Sequence, residues 1–564
     1  MVFAALCASG RKGVGTPIKG RIMKENSPRV PYPSVAYRSA RRPVYARGGM
    51  IATSQPLAAQ AGLAVLQNGG NAVDAAIAAA AALTVVEPAS CGIGGDAFAL
   101  VWDGRKLHGL NGSGRSPLRM TPELLQERNC REIPDCGWLS ITVPGAPAAW
   151  RDLHQRFGRH PFASLFAAAV DYADRGHPVS PVSQYKWRKG MAKLQSGLNG
   201  EEFRRWASLF APAGRTPEVG EIWKSPEMAR SLQLIAETCA EAFYRGELAA
   251  RITSFSAKTG GLLAEEDFAR HASTWVEPIG TNYRGFDVWE IPPNGQGLAA
   301  LLALNILEGF ELGALPRDSA ESFHLQIESM KLAFADARRT IADPEQAEIP
   351  VQPLLDKAYA ADRRRLVGRN AGSPDPGRPL PGGTAYLCTA DSDGMMVSLI
   401  ESVFKNFGSG IVVPGTGIAL QNRAIGFSLT PGHPNMLAPG KRPYHTIIPG
   451  FMTRKGAPVG PFGLMGGHMQ PQGHVQLVVN TVDHGLDPQA AIDAPRWHWQ
   501  EDRHVKLEPQ VDAAVAEELR MRGHKVEIHA DLDLFGNGQI IRRQPSGIYA
   551  AGSDGRTDGL AIGY

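Results

Sequence analysis

The chain has 564 residues, 43% hydrophobic and 20% charged, with 63 Gly, 42 Pro and 6 Cys. This composition belongs to a soluble globular protein and excludes disordered, collagen-like and disulfide-stapled classes. The formal charge of +4 hides an asymmetry: residues 1–49 hold ten Lys/Arg against Glu25 alone, so the remainder is mildly acidic.

Basic arms can meet nucleic acid, anionic membrane or an import receptor. The scattered Pro and Gly of residues 1–47 point instead to a disordered extension, and the body carries no basic stripe, so no nucleic-acid partner is expected. Mean hydropathy is −0.18, and the longest apolar run, Ala72–Val86, is too short to span a membrane and contains Asp74. No secretory signal is evident, because Arg11 and Lys12 follow the apolar Val2–Ser9 instead of preceding it. Cys7, Cys91, Cys130, Cys136, Cys239 and Cys388 form no CxxC pair. That fits reduced thiols in a cytoplasmic protein without a zinc knuckle. No HExxH, GxxxxGK[ST] or GxSxG motif occurs, which removes zincins, P-loop NTPases and ordinary α/β-hydrolases.

In chain order, Gly48–Thr53 reads as a short strand and Pro56–Gln67 as a helix closed by Asn68-Gly69-Gly70. Ala72–Val86 is a second helix, its alanines calling for close packing on both sides, and Pro88 stops it. The glycine loop Cys91–Asp96 enters a strand, Ala97–Trp102. Residues 145–270 read mainly as helices. Val288–Ile291 is a strand, 295–309 a helix, and 318–340 a helix with Phe323, Ile327, Met330 and Phe334 on one face. Residues 368–383 hold four Pro and five Gly and form a linker. Thr384–Ala390, a turn at Asp391–Gly394 and Met395–Ser402 then read as a hairpin. Further strands are expected near Thr446–Thr453 and Val505–Leu507, with helices at Gly473–Val482 and Asp512–Arg522. Mixed helices and hairpins fit an α/β or α+β sandwich.

The junction Gly382-Gly383-Thr384 carries the chemistry. If the chain is cut before Thr384, that residue holds a hydroxyl nucleophile and a free α-amine. An α-amine titrates near pH 7.7–8.0, so it can serve as a general base at neutral pH. Gly383, lacking a Cβ, lets its carbonyl turn toward the hydroxyl. Taken alone, the same residues also describe a loop opening a hairpin.

An ordered series of motifs decides between the two. Gly48–Leu57, Asn68–Ala76, Glu87-Pro88, Gly92–Asp96, Thr142–Gly145, Pro292–Gly297, Lys331–Asp336 and Gly559–Tyr564 together resemble the γ-glutamyltranspeptidase family. The resemblance spans residues 48 to 564. It implies an α+β fold, a four-layer αββα sandwich of the N-terminal-nucleophile hydrolase type, built from a large subunit, 48–383, and a small subunit, 384–564. It further implies cleavage between Gly383 and Thr384, Thr384 as nucleophile, Ser402 as a second hydroxyl beside it, and Gly466-Gly467 as oxyanion-hole donors. No metal or organic cofactor is implied. The acyl acceptor is water or an amine, and a dimer of processed pairs is one assembly the resemblance allows.

Departures from the family pattern bear on substrate. Glutathione-cleaving members hold the glutamyl α-carboxylate with an Arg and the α-ammonium with an Asp and an Asn. Here Ser113 stands nearest the Arg position with Arg115 two residues on, Phe404 replaces the Asn, Gly426 replaces the Asp, and His445-Thr446 replace a serine pair. Arg115, Arg423 and His445 suit a carboxylate without an α-amine. With Lys441–Thr446 as a local mark, the chain resembles the branch of glutaryl-cephalosporin acylases and oxamate amidohydrolases. The expected function is hydrolysis of a small carboxylate-bearing amide. The alternatives are an oxamate amidohydrolase or glutaryl acylase specifically, a true glutathione hydrolase or γ-glutamyltransferase, and an unprocessed scaffold.

Overall fold

The computed structural model describes residues 31–33, 41–195, 198–374 and 383–564. The expected disorder of the arm at 1–30 and 34–40, and the linker residues 375–382, lie outside these.

Two seven-stranded antiparallel sheets form the framework. In spatial order the first runs Leu560–Gly563, Gly49–Thr53, Gly383–Asp391, Met396–Phe404, Asp96–Trp102, Leu107–Asn111 and Thr274–Val276. The second runs Val44–Ala46, Tyr549–Ser553, Asn537–Arg543, Ala457–Met465, Gly450–Arg454, Phe286–Glu290 and Ile279–Tyr283. Side chains alternate across a strand, and the strand Gly383–Asp391 shows what each face meets. Tyr386, Cys388 and Ala390 enter a core shared with Phe451, Ile541 and Tyr549 of the second sheet. Ala385 and Leu387 join the alanine-rich helices on the opposite face. On the far side of the second sheet, Phe462 and Leu464 pack with Leu301, Met330 and Val478 from three further helices. Gly463 is required where the sheets approach, because a Cβ there would lie 2.6 Å from the Tyr386 ring.

The predicted helices Pro56–Gln67 and Ala72–Val86 form with those bounds. The Gln55 side chain caps the first, accepting from the Leu57 and Ala58 N–H groups. Asn71 and Asp74 form a reciprocal capping box on the second. All fifteen residues of Ala72–Val86 are buried. The crossing is tight enough that a Cβ on Gly62 would sit 2.3 Å from Ile51 Cδ1 and 2.9 Å from the Ala75 carbonyl.

Three expectations change. The arm does not extend to residue 47: Val44–Ala46 pairs with Tyr549–Ser553, the Arg41 guanidinium donates to the Gly559 carbonyl at 3.0 Å, and Tyr32 donates to the Arg556 carbonyl. Three residues with Ala46 facing inward cover a sheet edge, and the surrounding arginines masked that apolar pair in the charge count. The strand expected at Thr446–Thr453 begins only at Gly450. The backbone before it is taken by another loop: Gln296 N–H donates to the His445 carbonyl, and His445 N–H to the Asn294 carbonyl. The helix expected from Gly473 starts earlier, at Met469, since Pro471 falls in its first turn, where a missing N–H leaves no bond unmade.

Candidate active site

The hairpin of Gly383–Asp391 and Met396–Phe404 sets the position of Thr384. Its register shifts between Gly383 and Ala385, so Thr384 sits at a bulge, a device that re-aims one side chain without breaking the sheet. Thr384 is 1% exposed. Its Oγ1 lies 3.5 Å from Ser402 Oγ and 3.4 Å from Gln470 Nε2. Ser402 Oγ donates to the Gly383 carbonyl at 2.6 Å and accepts from the Phe404 N–H at 2.7 Å. The one carbonyl that cleavage must activate thus already has a proton donor against it.

Gly466 and Gly467 have φ of +127° and +64°, values open to glycine and costly for other residues. They lead into helix Met469–Val482, their carbonyls accepting from Met469 and Gln470 N–H. Gln470 reaches Thr384 from that first turn while its Oε1 accepts from Ile448 N–H at 2.9 Å, and Gln296 Nε2 holds the Gly467 carbonyl at 2.9 Å. A glycine pair leading into the helix whose first turn sends Gln470 to the Thr384 hydroxyl is suited to a developing oxyanion.

Beyond Ser402 the expected substrate residues divide. Arg423 is 1% exposed and stacks over the Phe404 ring at 4.4 Å. Its Nη1 donates to Thr446 Oγ1 at 2.7 Å, whereas Nε and Nη2 find no hydrogen-bond partner among the described residues. Burial lowers the guanidinium to about 9, opposed by the Asp96 carboxylate, so it stays cationic at neutral pH. His445 Nε2 meets Asp96 Oδ2 at 3.1 Å, and burial with the charge of Arg423 lowers its ring to about 4 despite Asp96. A neutral His445 therefore donates from Nε2 and leaves Nδ1 as an acceptor. Burial by itself would raise the Asp96 carboxyl, but the hydrogen bond from His445, the charge of Arg423 and the hydrogen bond from Gln421 hold it below its ordinary value.

Arg115 is not part of this group. Its guanidinium pairs with Asp343 at 3.1 Å and Glu345 at 2.5 Å, and bonds the Gly440 carbonyl. Its expected role in holding a substrate carboxylate gives way to a ring of acids that already neutralises it. Gly426 is also more constrained than expected: a Cβ there would meet the Tyr444 carbonyl at 2.4 Å.

Asp96, Gln470 and Gln296 join this group through His445, Thr384 and Gly467, and none of them was expected there from the sequence. Asp96 closes the glycine loop Cys91–Asp96, and that loop was the available signal. Its Oδ1 accepts from the N–H groups of Gly114 and Gly145 and from Gln421 Nε2. Three ligand-type atoms converge among the described residues at His324, Glu328 and His524, none of which bonds Thr384.

A glycine–threonine bond at a strand start, with a serine hydroxyl on its carbonyl, is the arrangement expected of an N-terminal-nucleophile type of site. The gamma-glutamyltranspeptidase family model matches residues 58–564, and the chain belongs to that family of amide-bond-cleaving enzymes. It is 37% identical to the glutathione hydrolase-like YwrD proenzyme of Bacillus subtilis (strain 168), covering 91% of this chain and 98% of that one. It is 33% identical to the acylase ACY 1 proenzyme of Pseudomonas sp. (strain SE83), covering 95% and 97%. A crystal structure of cephalosporin acylase from Bacillus halodurans superposes with a TM-score of 0.91 at 52% identity, covering 94% of this chain and 98% of that one. Among the described residues, no helix is long and apolar enough to cross a membrane.

Proposed function

We propose that the chain is a proenzyme that cuts itself between Gly383 and Thr384 and then hydrolyses a small carboxylate-bearing amide through an acyl-enzyme on Thr384. The observation that carries this reading is the 2.6 Å hydrogen bond from Ser402 Oγ to the Gly383 carbonyl, with the Thr384 hydroxyl adjoining. The two-sheet core with helices on both outer faces supports a four-layer αββα sandwich, assembled from the fragments 48–383 and 384–564.

In processing, Thr384 Oγ1 adds to the Gly383 carbonyl carbon, the C–N bond breaks, and the hydroxyl proton passes to the departing nitrogen. Water then hydrolyses the resulting ester, leaving a Gly383 carboxylate and a free Thr384 α-amine. In turnover that amine takes the Oγ1 proton as oxygen attacks the substrate carbonyl, then delivers it to the leaving amine. The Gly466 and Gly467 N–H groups stabilise the tetrahedral oxyanion. Water attacks the ester and regenerates the enzyme.

For the substrate, the open Nε and Nη2 donors of Arg423 take the carboxylate, with Phe404 beneath and Thr446 and His445 as its neighbours. No carboxylate stands at Gly426 to hold an α-ammonium, so a glutaryl-type acyl group is favoured over a γ-glutamyl one. Among the described residues no disulfide joins Cys91, Cys130, Cys136, Cys239 and Cys388, which fits a reducing, cytoplasmic setting. The test is a denaturing gel with N-terminal sequencing, followed by assays of the processed enzyme on a glutaryl amide, a γ-glutamyl anilide, glutathione and oxamate. A single uncut chain rejects the mechanism. Preference for the γ-glutamyl compounds rejects the substrate class.

A further inference from the structure

Helix Ala320–Thr340 carries His324 and Glu328 four residues apart, which stacks them on one face. Both are buried, at 1% and 3% exposure. His524, between helix Ala513–Met521 and strand Lys525–Ile528, completes a group whose ligand-type atoms all lie within 4.8 Å of one another. His324 Nδ1 is 2.9 Å from His524 Nε2, and His524 Nε2 is 3.9 Å from Glu328 Oε1.

Neighbouring groups fix how these atoms are presented. His324 Nε2 faces the Gly368 carbonyl at 2.8 Å. A carbonyl only accepts, so Nε2 carries the proton and Nδ1 of the neutral ring offers a lone pair to His524. His524 Nε2 donates to that lone pair, so a metal ion requires the His524 proton to move to its Nδ1, which has no hydrogen-bond partner among the described residues; both rings then face the ion with a lone pair, His324 held from behind by a backbone carbonyl. Glu328 is braced in the same way: Oε1 accepts from Lys331 Nζ at 2.7 Å and Oε2 from Gly372 N–H at 2.9 Å. Each oxygen keeps a further lone pair, and Lys331 also bonds the Gly372 carbonyl at 3.0 Å.

We propose that His324 Nδ1, His524 Nε2 and Glu328 Oε1 form a site for a divalent transition-metal ion of the zinc class. Two imidazoles and one carboxylate are a ligand set that suits zinc. With Zn–N bonds of about 2.0–2.1 Å, tetrahedral neighbours lie about 3.3 Å apart, so the two rings need to part by only a few tenths of an ångström. No residue of the site bonds Thr384, Ser402 or Arg423, so the ion's role is structural. Two ligands precede Gly383 and one follows Thr384. On the proposed cleavage, on which this last point rests, the ion bridges the large and small fragments.

The test uses tag-free full-length protein, stripped with a chelator and titrated with zinc against a chromophoric indicator. Wild type and Thr384→Ala are expected to bind about one zinc per chain, and His524→Ala at least about tenfold more weakly. Zinc is expected to raise the Tm of wild type, and cobalt in its place to give the visible absorption of a tetrahedral nitrogen–oxygen site. Glu328→Gln, nearly isosteric, carries the comparison if His524→Ala does not fold. Wild type binding zinc no better than the ligand variants overturns the proposal, leaving a hydrogen-bonded histidine pair beside a Lys–Glu ion pair. Zinc binding by an uncut wild type would overturn the cleavage and leave the metal site standing.

Discussion

The Arg423 guanidinium lies 4.4 Å over the ring of Phe404, and the N–H of the same Phe404 holds Ser402 Oγ, the hydroxyl on the carbonyl to be cut. One residue thus joins the proposed carboxylate donor to the hydrogen bonds around Thr384, and mutations on its two sides are expected to separate processing from substrate selection.

Wild type is expected to resolve into fragments of about 41 and 19 kDa, the smaller being 181 of 564 residues in a 60.5 kDa chain. Thr384→Ala stays whole. Ser402→Ala loses the donor on the Gly383 carbonyl and cuts more slowly, at a cost of about 1–3 kcal/mol for the missing hydrogen bond. Edman sequencing of the small fragment checks the site, and any first residue other than Thr384 refutes it.

Arg423→Ala is expected to lower kcat/KM for a carboxylate-bearing amide roughly ten- to a hundredfold, mainly through KM, because a charge-assisted hydrogen bond contributes about 1.5–3 kcal/mol. Self-cleavage should persist, since no substrate is present in that step. Arg115→Ala, whose side chain is committed to Asp343 and Glu345, is expected to leave KM unchanged. Steady-state kinetics on the two variants decide between these arginines.

A substrate lacking the α-amine is expected to be turned over better than its γ-glutamyl counterpart. Gly426→Asp is a poor converse test, because the new Cβ collides with the Tyr444 carbonyl. Phe404→Asn is better tolerated: Phe404 has φ of +78°, a region where Asn is far commoner than Phe. It is expected to raise relative activity on γ-glutamyl amides while weakening the seat of Arg423. Paired kcat/KM values for glutaryl and γ-glutamyl forms of one amide measure both effects.

Stability is expected to have opposing pH dependences. His177, His271, His445, His498 and His524 are all lowered by burial, to about 3–4. The unfolded chain therefore binds more protons between pH 4 and 6.5, and stability falls as pH drops through that window. Glu401 behaves oppositely: burial beside Cys91 and Trp150 raises its carboxyl to about 8. Its contribution is complete below pH 4.5 and lost as pH rises through 8. Glu401→Gln is expected to gain up to about 3 kcal/mol near pH 7 and nothing at pH 4, judged from the size of the shift. Urea denaturation at the two pH values is the measurement, and an equal change at both would reject the assignment.

Much of this arrangement was legible in local signals. Pro56 and Asn68 bound the first helix, alanine content announced the closeness of the second, and Gly383-Thr384 after a proline-rich linker marked the start of the hairpin that carries the proposed nucleophile. What was not legible depends on partners far apart in sequence. Asp96 meets His445 across 349 positions and Arg115 meets Asp343 across 228, so composition could not distinguish a substrate-gripping arginine from a neutralised one. His324 and His524 are 200 residues apart, outside any spacing rule for metal ligands. The three-residue edge strand Val44–Ala46 is too short for periodicity to register.

The strand Gly49–Thr53 lies between Gly383–Asp391 and Leu560–Gly563, and the Tyr564 carbonyl accepts from Arg47 and Gly48 N–H. Residues Leu560–Gly563 thus act as a clamp on the strand that flanks Thr384's own. A chain truncated before Leu560 bares one edge of Gly49–Thr53 and is expected to cleave more slowly than the whole, although the pairing of Gly49–Thr53 with Gly383–Asp391 is itself untouched.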